Sequence, residues 1–409
     1  MLRRVRPGIR IRGTSLIAGL SIALTAPAAA RAPAPVRDVG PEAGLPTAMT
    51  SYSVRARDID GDGLRDLLFV HHDGPTQLYT NTGDGFELRT TFVDTLSGEI
   101  DRHDCAWADV DVDGHLDLYC VKGAQQGTVE KHNELWMQQP DGTFLDLARR
   151  YRVLDRWGRG RRTAFLHLND DPYPDLFVGN HYPRQDDHRT PNRTFVNVGG
   201  ERFRKVDLGL TKHAGALCVD VADVDDDGRD DLLVCENRAL RLYLRRSGGF
   251  LDVTAEYGIA RRVATWAQMV DVDRDGDLDL VAITRRFLTV RLWSSRTRYA
   301  GPLRFPVEQG RGFAIGDIDG RRGLDIVIVQ GCDAGINVHD VLLVSDGGRT
   351  GWDRRAIHGA VDGCGDKAVA LDFDLDGADD FVVTNGAGQF GGVGIQGPDQ
   401  LLTMGAWRE

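Results

Sequence analysis

Asp58-Ile59-Asp60-Gly61-Asp62-Gly63-Leu64-Arg65-Asp66 is the stretch on which the fold turns. Its pattern, Asp-x-Asp-x-Asp-Gly-x-x-Asp, returns intact from Asp109, Asp223, Asp271 and Asp372, and two altered copies start at His167 and Asp317. Successive copies begin 46 to 58 residues apart. Short apolar runs follow the loops, among them Leu67-Leu68-Phe69-Val70, Leu232-Leu233-Val234 and Phe381-Val382-Val383. Such runs read as buried strands, so each loop joins two antiparallel strands. A repeat of this length, made of several short strands, is the pattern of a β-propeller. The expected fold class is all-β, with residues 33–409 as one seven-bladed β-propeller.

Carboxylates at positions 1, 3 and 5 turn inward when such a loop curls, glycine at position 6 permits a tight positive-φ turn, and a carboxylate at position 9 closes the shell. Hard oxygen donors at these spacings suit Ca²⁺, and four carboxylates in one turn repel each other without a cation. About five Ca²⁺ sites are therefore expected: Asp58, Asp60, Asp62 and Asp66; Asp109, Asp111, Asp113 and Asp117; Asp223, Asp225, Asp227 and Asp231; Asp271, Asp273, Asp275 and Asp279; Asp372, Asp374, Asp376 and Asp380. An EF-hand opens in the same way but needs Glu at position 12 and flanking helices. Position 12 here is Phe69, Cys120, Val234, Ala282 or Val383. In the third copy Pro172 replaces the glycine and cannot reach positive φ, so little or no Ca²⁺ is expected there. In the sixth, Arg321 takes a ligand position, and its guanidinium is expected to stand in for the ion.

These loops resemble those of the FG-GAP/VCBS repeat family, whose best-known relative is the integrin α-subunit propeller. The resemblance extends to the strand before the loop, as in Arg311-Gly312-Phe313-Ala314-Ile315-Gly316, and to later hairpins such as Leu78–Phe86 and Leu135–Phe144. It implies the propeller fold. It implies less about activity, because the fold serves adhesion proteins, lectin-like binders and some polysaccharide-cleaving enzymes.

A second repeat marks an outer strand. Phe250-Leu251-Asp252-Val253 with Tyr257 and Ile259 is matched by Phe144-Leu145-Asp146-Leu147 with Tyr151 and Val153, and by Arg37-Asp38-Val39 with Leu45. The last repeat lacks such a segment, so residues about 36–46 are expected to supply the outer strand of the last blade. That arrangement leaves no unpaired edge where the ring closes.

Residues 1–32 read as a signal peptide: Arg3, Arg4, Arg6, Arg10 and Arg12 precede an apolar run from Leu16 to Ala30 and an Ala-rich cleavage region. A secreted or extracytoplasmic location follows, with no membrane span after the signal is removed. The formal charge of −11 becomes about −16 without the leader arginines, and five Ca²⁺ would bring it to about −6. Much of the acidity is thus ligand acidity, and a nucleic-acid partner is not expected. Six cysteines fit an exported chain. Cys105 and Cys120 lie symmetrically about the second loop, as do Cys218 and Cys235 about the fourth, so each pair is expected across one hairpin. Cys332 and Cys364 remain for a third bridge.

The face opposite the Asp loops is expected to carry the longer, more varied connections, where function usually sits. His103, Asp104, Lys131, His132, His181, Arg184 and His188 form the densest polar groups there and are the candidate ligand-binding residues. The leading expectation is a calcium-binding propeller that binds a glycan or protein on that face. The alternative is a polysaccharide lyase or glycoside hydrolase using the His/Asp/Glu rim.

Overall fold

A computed structural model describes residues 36–46, 51–71, 74–93, 101–123, 131–181, 191–210, 215–236, 239–259, 263–295, 298–320, 323–331, 338–357, 365–386 and 398–403. Residues 35–409 form one compact unit. Residues 1–32, for which a signal peptide is expected, and Arg184, His188, Arg321, Cys332 and Cys364 lie outside the described residues.

The strands assemble into seven four-stranded sheets, so the chain is an all-β, seven-bladed propeller. Five blades are simple antiparallel meanders, and in blade five a two-stranded ribbon, Trp293–Ser295 with Arg298–Tyr299, is inserted before the fourth strand. Blade one runs Ser53–Arg57, Asp66–Val70, Thr76–Asn81 and Phe86–Phe92, each strand paired with the next. The seventh sheet contains Lys367–Leu371, Asp380–Thr384 and Gln400–Thr403, and its fourth strand is Arg37–Asp38, paired through Arg37↔Thr403 and Asp38↔Leu402. The repeated outer-strand motif explains that pairing locally. Asp38 Oδ1 accepts the amides of Gly40 and Leu401, just as Asp146 Oδ1 accepts those of Ala148 and Leu135. The turns that follow also correspond: Ala43 N bonds to Val39 O, Tyr151 N to Leu147 O and Tyr257 N to Val253 O.

The second strand of each blade is buried throughout and, after its leading Asp, mainly apolar, because it is covered on both faces. In blade one, Leu67 and Phe69 pack with Leu371, Phe373 and Val382 of blade seven, whereas Leu68 and Val70 pack with Leu118, Cys120 and Trp136 of blade two. Period-two alternation thus divides one strand between two interfaces. Seven such apolar clusters occur, one for each pair of neighbouring blades, and they close the ring.

Disulfides join Cys105 to Cys120 and Cys218 to Cys235, directly opposite residues of the first hairpins of blades two and four. The Cα–Cα distances are 4.1 and 4.8 Å. Each bridge closes a short loop around an Asp turn. The double variant Cys105→Ala/Cys120→Ala is expected to lose about 3 kcal/mol of stability, seen as a lower denaturant midpoint.

Candidate functional site

Each Asp loop follows the innermost strand of its blade and leads into the second. The four aspartates divide the work. Position 1 folds the turn: Asp109 accepts the amides of Asp113 and Gly114, Asp223 those of Asp227 and Gly228, and Asp271 those of Asp275 and Gly276. Position 5 accepts the amide two residues on, as Asp62 does from Leu64 and Asp113 from His115. Position 9 is buried and holds the blade together. Asp66 takes the amides of Ile59 in the loop and Asn81 in the third strand. Asp117, Asp231 and Asp279 do the same.

Position 9 keeps this role where the metal-ligand pattern has decayed. Asp175 in blade three accepts Leu168 N and Asn197 N, and Asp325 in blade six accepts Ile318 N and Ser345 N. The residue is therefore a staple first, whatever its part in ligation. Burial pushes these carboxyls up, with the bonded amides opposing (two in most blades, Phe373 N alone for Asp380) and nearby aspartates adding to the rise. Asp66 and Asp231 reach about 6, Asp117 and Asp279 about 7, and Asp380 about 8.

The residues present fit a hard cation. Carboxylates of Asp109, Asp111 and Asp117 gather with ligand atoms within 4.8 Å of one another, as do those of Asp223, Asp225 and Asp231, of Asp271, Asp273 and Asp279, and of Asp58, Asp60 and Asp62. Position 3 holds the turn in only some copies, as Asp374 does by accepting the amide of Asp376 at 3.2 Å. Asp111 Oδ1, Asp225 Oδ1 and Asp273 Oδ1 are buried without a hydrogen-bond partner, and so is Asp372 Oδ1. A buried unpaired carboxylate oxygen is costly, and a cation at the loop centre is what would satisfy all of them.

Arginines meet some of these carboxylates. Arg246 pairs with Asp225 at 2.7 Å and Asp227 at 3.3 Å, and Arg349 with Asp273 at 2.7 Å and with Asp275. In blade six the guanidinium on Asp317 belongs to Arg274 of the neighbouring loop, at 2.6 Å. Position 8 also couples blades: Asp230 accepts His167 N at 2.6 Å and Asp379 accepts Asp317 N at 2.8 Å. Neither link shows in the sequence, because it joins residues more than 60 positions apart.

The turn needs positive φ twice, at position 6 and also at position 4. Gly61 and Gly320 stand at position 4 in two blades, while Val112 (60°), Asp226 (55°), Arg274 (55°) and Leu375 (58°) adopt it elsewhere. A β-branched residue there stores about 1–2 kcal/mol of strain. Val112→Asn is expected to raise the melting temperature by one or two degrees, because Asn tolerates this region. A fall would contradict the turn geometry.

The inner strands begin on the face opposite the Asp loops. There the candidate ligand-binding residues divide. His103 and Lys131 are buried and converge on Asp101, at 3.0 and 3.6 Å, and His103 packs edge-on to Tyr52. Asp104 turns to a paired role, with Arg55 Nη2 at 2.6 and 2.8 Å and the amide of Thr163 at 3.2 Å. His181 Nδ1 lies 3.4 Å from Arg159. His132 is half-buried and its Nδ1 has no hydrogen-bond partner. Next to this group, Arg102 and Lys122 share Glu134 at 2.6 and 2.8 Å, all three buried.

Sheets, loops and ring closure together define a β-propeller built from Asp-loop repeats. The family model described as "FG-GAP-like repeat" matches residues 44–120, 167–234 and 223–282, and the chain belongs to that family. A search of curated proteins finds no significant relative. Among solved structures, the chain is similar to an Agrocybe aegerita lectin that recognises non-reducing terminal N-acetylglucosamine, at 15% identity and TM-score 0.52, over 82% of this chain and 86% of that one. It is also similar to BBS1N in a complex with ARL6DN, at 9% identity and TM-score 0.53, over 88% and 94%. At these identities the likeness is one of fold. No described helix is long and apolar enough to cross a membrane.

Proposed function

We propose that the chain is exported, carries Ca²⁺ in its Asp loops, and acts as a binding or adhesion module for a glycan or protein on the opposite face. The observation that carries this reading is the convergence of Asp101, His103, Lys131 and Tyr52 at the inner end of the blades, presented by a ring that staples and disulfides make rigid. The lectin-like neighbour supports a binding role by fold alone. The Ca²⁺ here stiffens hairpins at the far end and does not touch the ligand. The residues that would hold it are positions 1, 3 and 5 of the intact loops, with position 9 closing the shell. The test is binding of the calcium-loaded protein to arrayed glycans and to cell-surface extracts. Retention that His103→Ala and Lys131→Ala weaken supports the reading; release of reducing or unsaturated sugar ends from a polysaccharide would replace it with an enzyme.

A further inference from the structure

Four cations from three blades meet at the channel mouth opposite the Asp loops. Arg161 and Arg162 come from blade three, Arg311 from blade six and Lys367 from blade seven. Arg162 and Lys367 converge on one indole, Trp266 of blade five, with Arg162 Cζ 5.3 Å and Lys367 Nζ 5.0 Å from the ring centroid. Lys367 Nζ also donates to Arg311 O at 3.3 Å. Arg162 is pinned by the carbonyls of Leu217 (2.9 Å) and His103 (3.2 Å), so it spans from blade two to blade four.

The carboxylates nearby are mostly committed elsewhere. Asp104 pairs with Arg55, Asp101 with His103 and Lys131, and Asp399 accepts the amides of Ser51 and Asn385. Asp366 remains as the acid within electrostatic reach of Arg162, Arg311 and Lys367. Asp101 also acts on Arg161 and Asp104 on Lys367, but both are already shared with His103, Lys131 and Arg55, so the cations outnumber the carboxylates left for them. Burial, together with the charges of Arg162 and Arg311, pushes Lys367 down to about 7, with Asp366 and Asp104 opposing. Arg311 Nε and Asp366 Oδ2 are buried with no hydrogen-bond partner. Like charges crowded in a low-dielectric space cost free energy that an anion recovers.

We infer that this mouth binds the carboxylate group of an acidic sugar, with Arg162, Arg311 and Lys367 holding the oxyanion and Trp266 backing the two cations that lie over it. The inference rests on the binding-module reading and narrows its ligand to acidic glycans. Arg162 and Lys367 both lie over the Trp266 ring, so the indole holds the two cations together and its fluorescence reports an anion that draws on them.

The test uses the full calcium-loaded chain, with tryptophan fluorescence and calorimetry against sodium glucuronate, sodium sulfate and glucose. Glucuronate is expected to bind at least tenfold more tightly than glucose, with sulfate competing, and Trp266→Phe should remove the fluorescence change. Arg311→Gln and Lys367→Gln should each weaken glucuronate binding at least tenfold with little change in melting temperature. If Lys367→Gln fails to fold, Arg311→Gln, which is only half-buried, together with loss of wild-type binding at high salt, still decides. Equal binding of glucose and glucuronate, unchanged binding by Arg311→Gln, or binding of sulfate without glucuronate overturns the inference. Neutral glycans retained by Arg311→Gln would leave the binding module standing without this site. Glucuronate bound at the mouth with no glycan retained on an array would do the reverse.

Discussion

Treatment with EDTA is expected to lower the melting temperature of this protein by several degrees, and Ca²⁺ should restore it. A ligand bound only to the folded state at a hundredfold excess over its Kd stabilises by about 2.7 kcal/mol per site. Several loops act together here, and each joins the first two strands of its blade. The effect has a pH signature. Burial raises the position-9 carboxyls from the ordinary 3.8 to between about 6, for Asp66, and about 8, for Asp380. In the calcium-free protein the folded chain therefore holds more protons than the unfolded one across that interval. Stability that is full near pH 4 is lost as pH rises through 6 to 8. Ca²⁺ bound in the loops would compete with those protons and reverse the loss. The drop caused by EDTA should thus be larger at pH 8 than at pH 5.5; the opposite order would contradict this account of the loops.

The second large effect separates the staple from the ligand. Asp175→Ala in blade three removes an acceptor of two buried amides, Leu168 N and Asn197 N, both at 2.7 Å. Leaving two buried N–H groups unpaired costs about 2–5 kcal/mol. The loss should be the same with Ca²⁺ or EDTA, since Pro172 stands in this loop where the intact copies have glycine. Hydrogen exchange should speed up at those two amides. Asp111→Asn in blade two is the converse change. Asp111 Oδ1 holds no hydrogen bond, so the variant should bind less Ca²⁺ while its melting temperature in EDTA stays within about a degree of wild type. If Asp175→Ala melted like wild type, or Asp111→Asn were destabilised in EDTA, the division of labour among the aspartates would be wrong.

Much of the fold was legible because the Asp loop repeats and each copy is followed by an apolar strand. Seven copies mean seven blades, and mirror positions about a loop place Cys105 opposite Cys120 and Cys218 opposite Cys235. The loop pattern was less open about roles. It shows four aspartates at fixed spacing, but not that position 9 faces two backbone amides in six blades while position 3 leaves an oxygen buried and unpaired in Asp111, Asp225 and Asp273. That distinction depends on where the third strand returns. The second positive-φ residue was hidden as well, because Val112, Asp226, Arg274 and Leu375 share no residue type with Gly61.

The opposite face was the least legible part. His103, Lys131 and Asp104 cluster in the sequence as a polar rim, yet all three are buried. Asp104 points to Arg55, while His103 and Lys131 turn to Asp101. Alternation along a short inner strand sends adjacent residues to different neighbours, and burial at a blade end depends on loops distant in the chain. Arg161 and Arg162 end an arginine-rich run that begins at Arg156, but Arg311 and Lys367 lie about 150 to 200 residues further on and join them only at the channel mouth, so the run alone does not announce the cluster.

The central claim is that the intact Asp loops hold Ca²⁺. Its most direct test is the calcium content of the purified protein by elemental analysis, after gel filtration in buffer free of added metal and again after Ca²⁺ loading. The account predicts about five Ca²⁺ per chain when loaded, one fewer in Asp111→Asn, and the same number as wild type in Asp175→Ala. A protein that is folded and carries no Ca²⁺ after loading would contradict it.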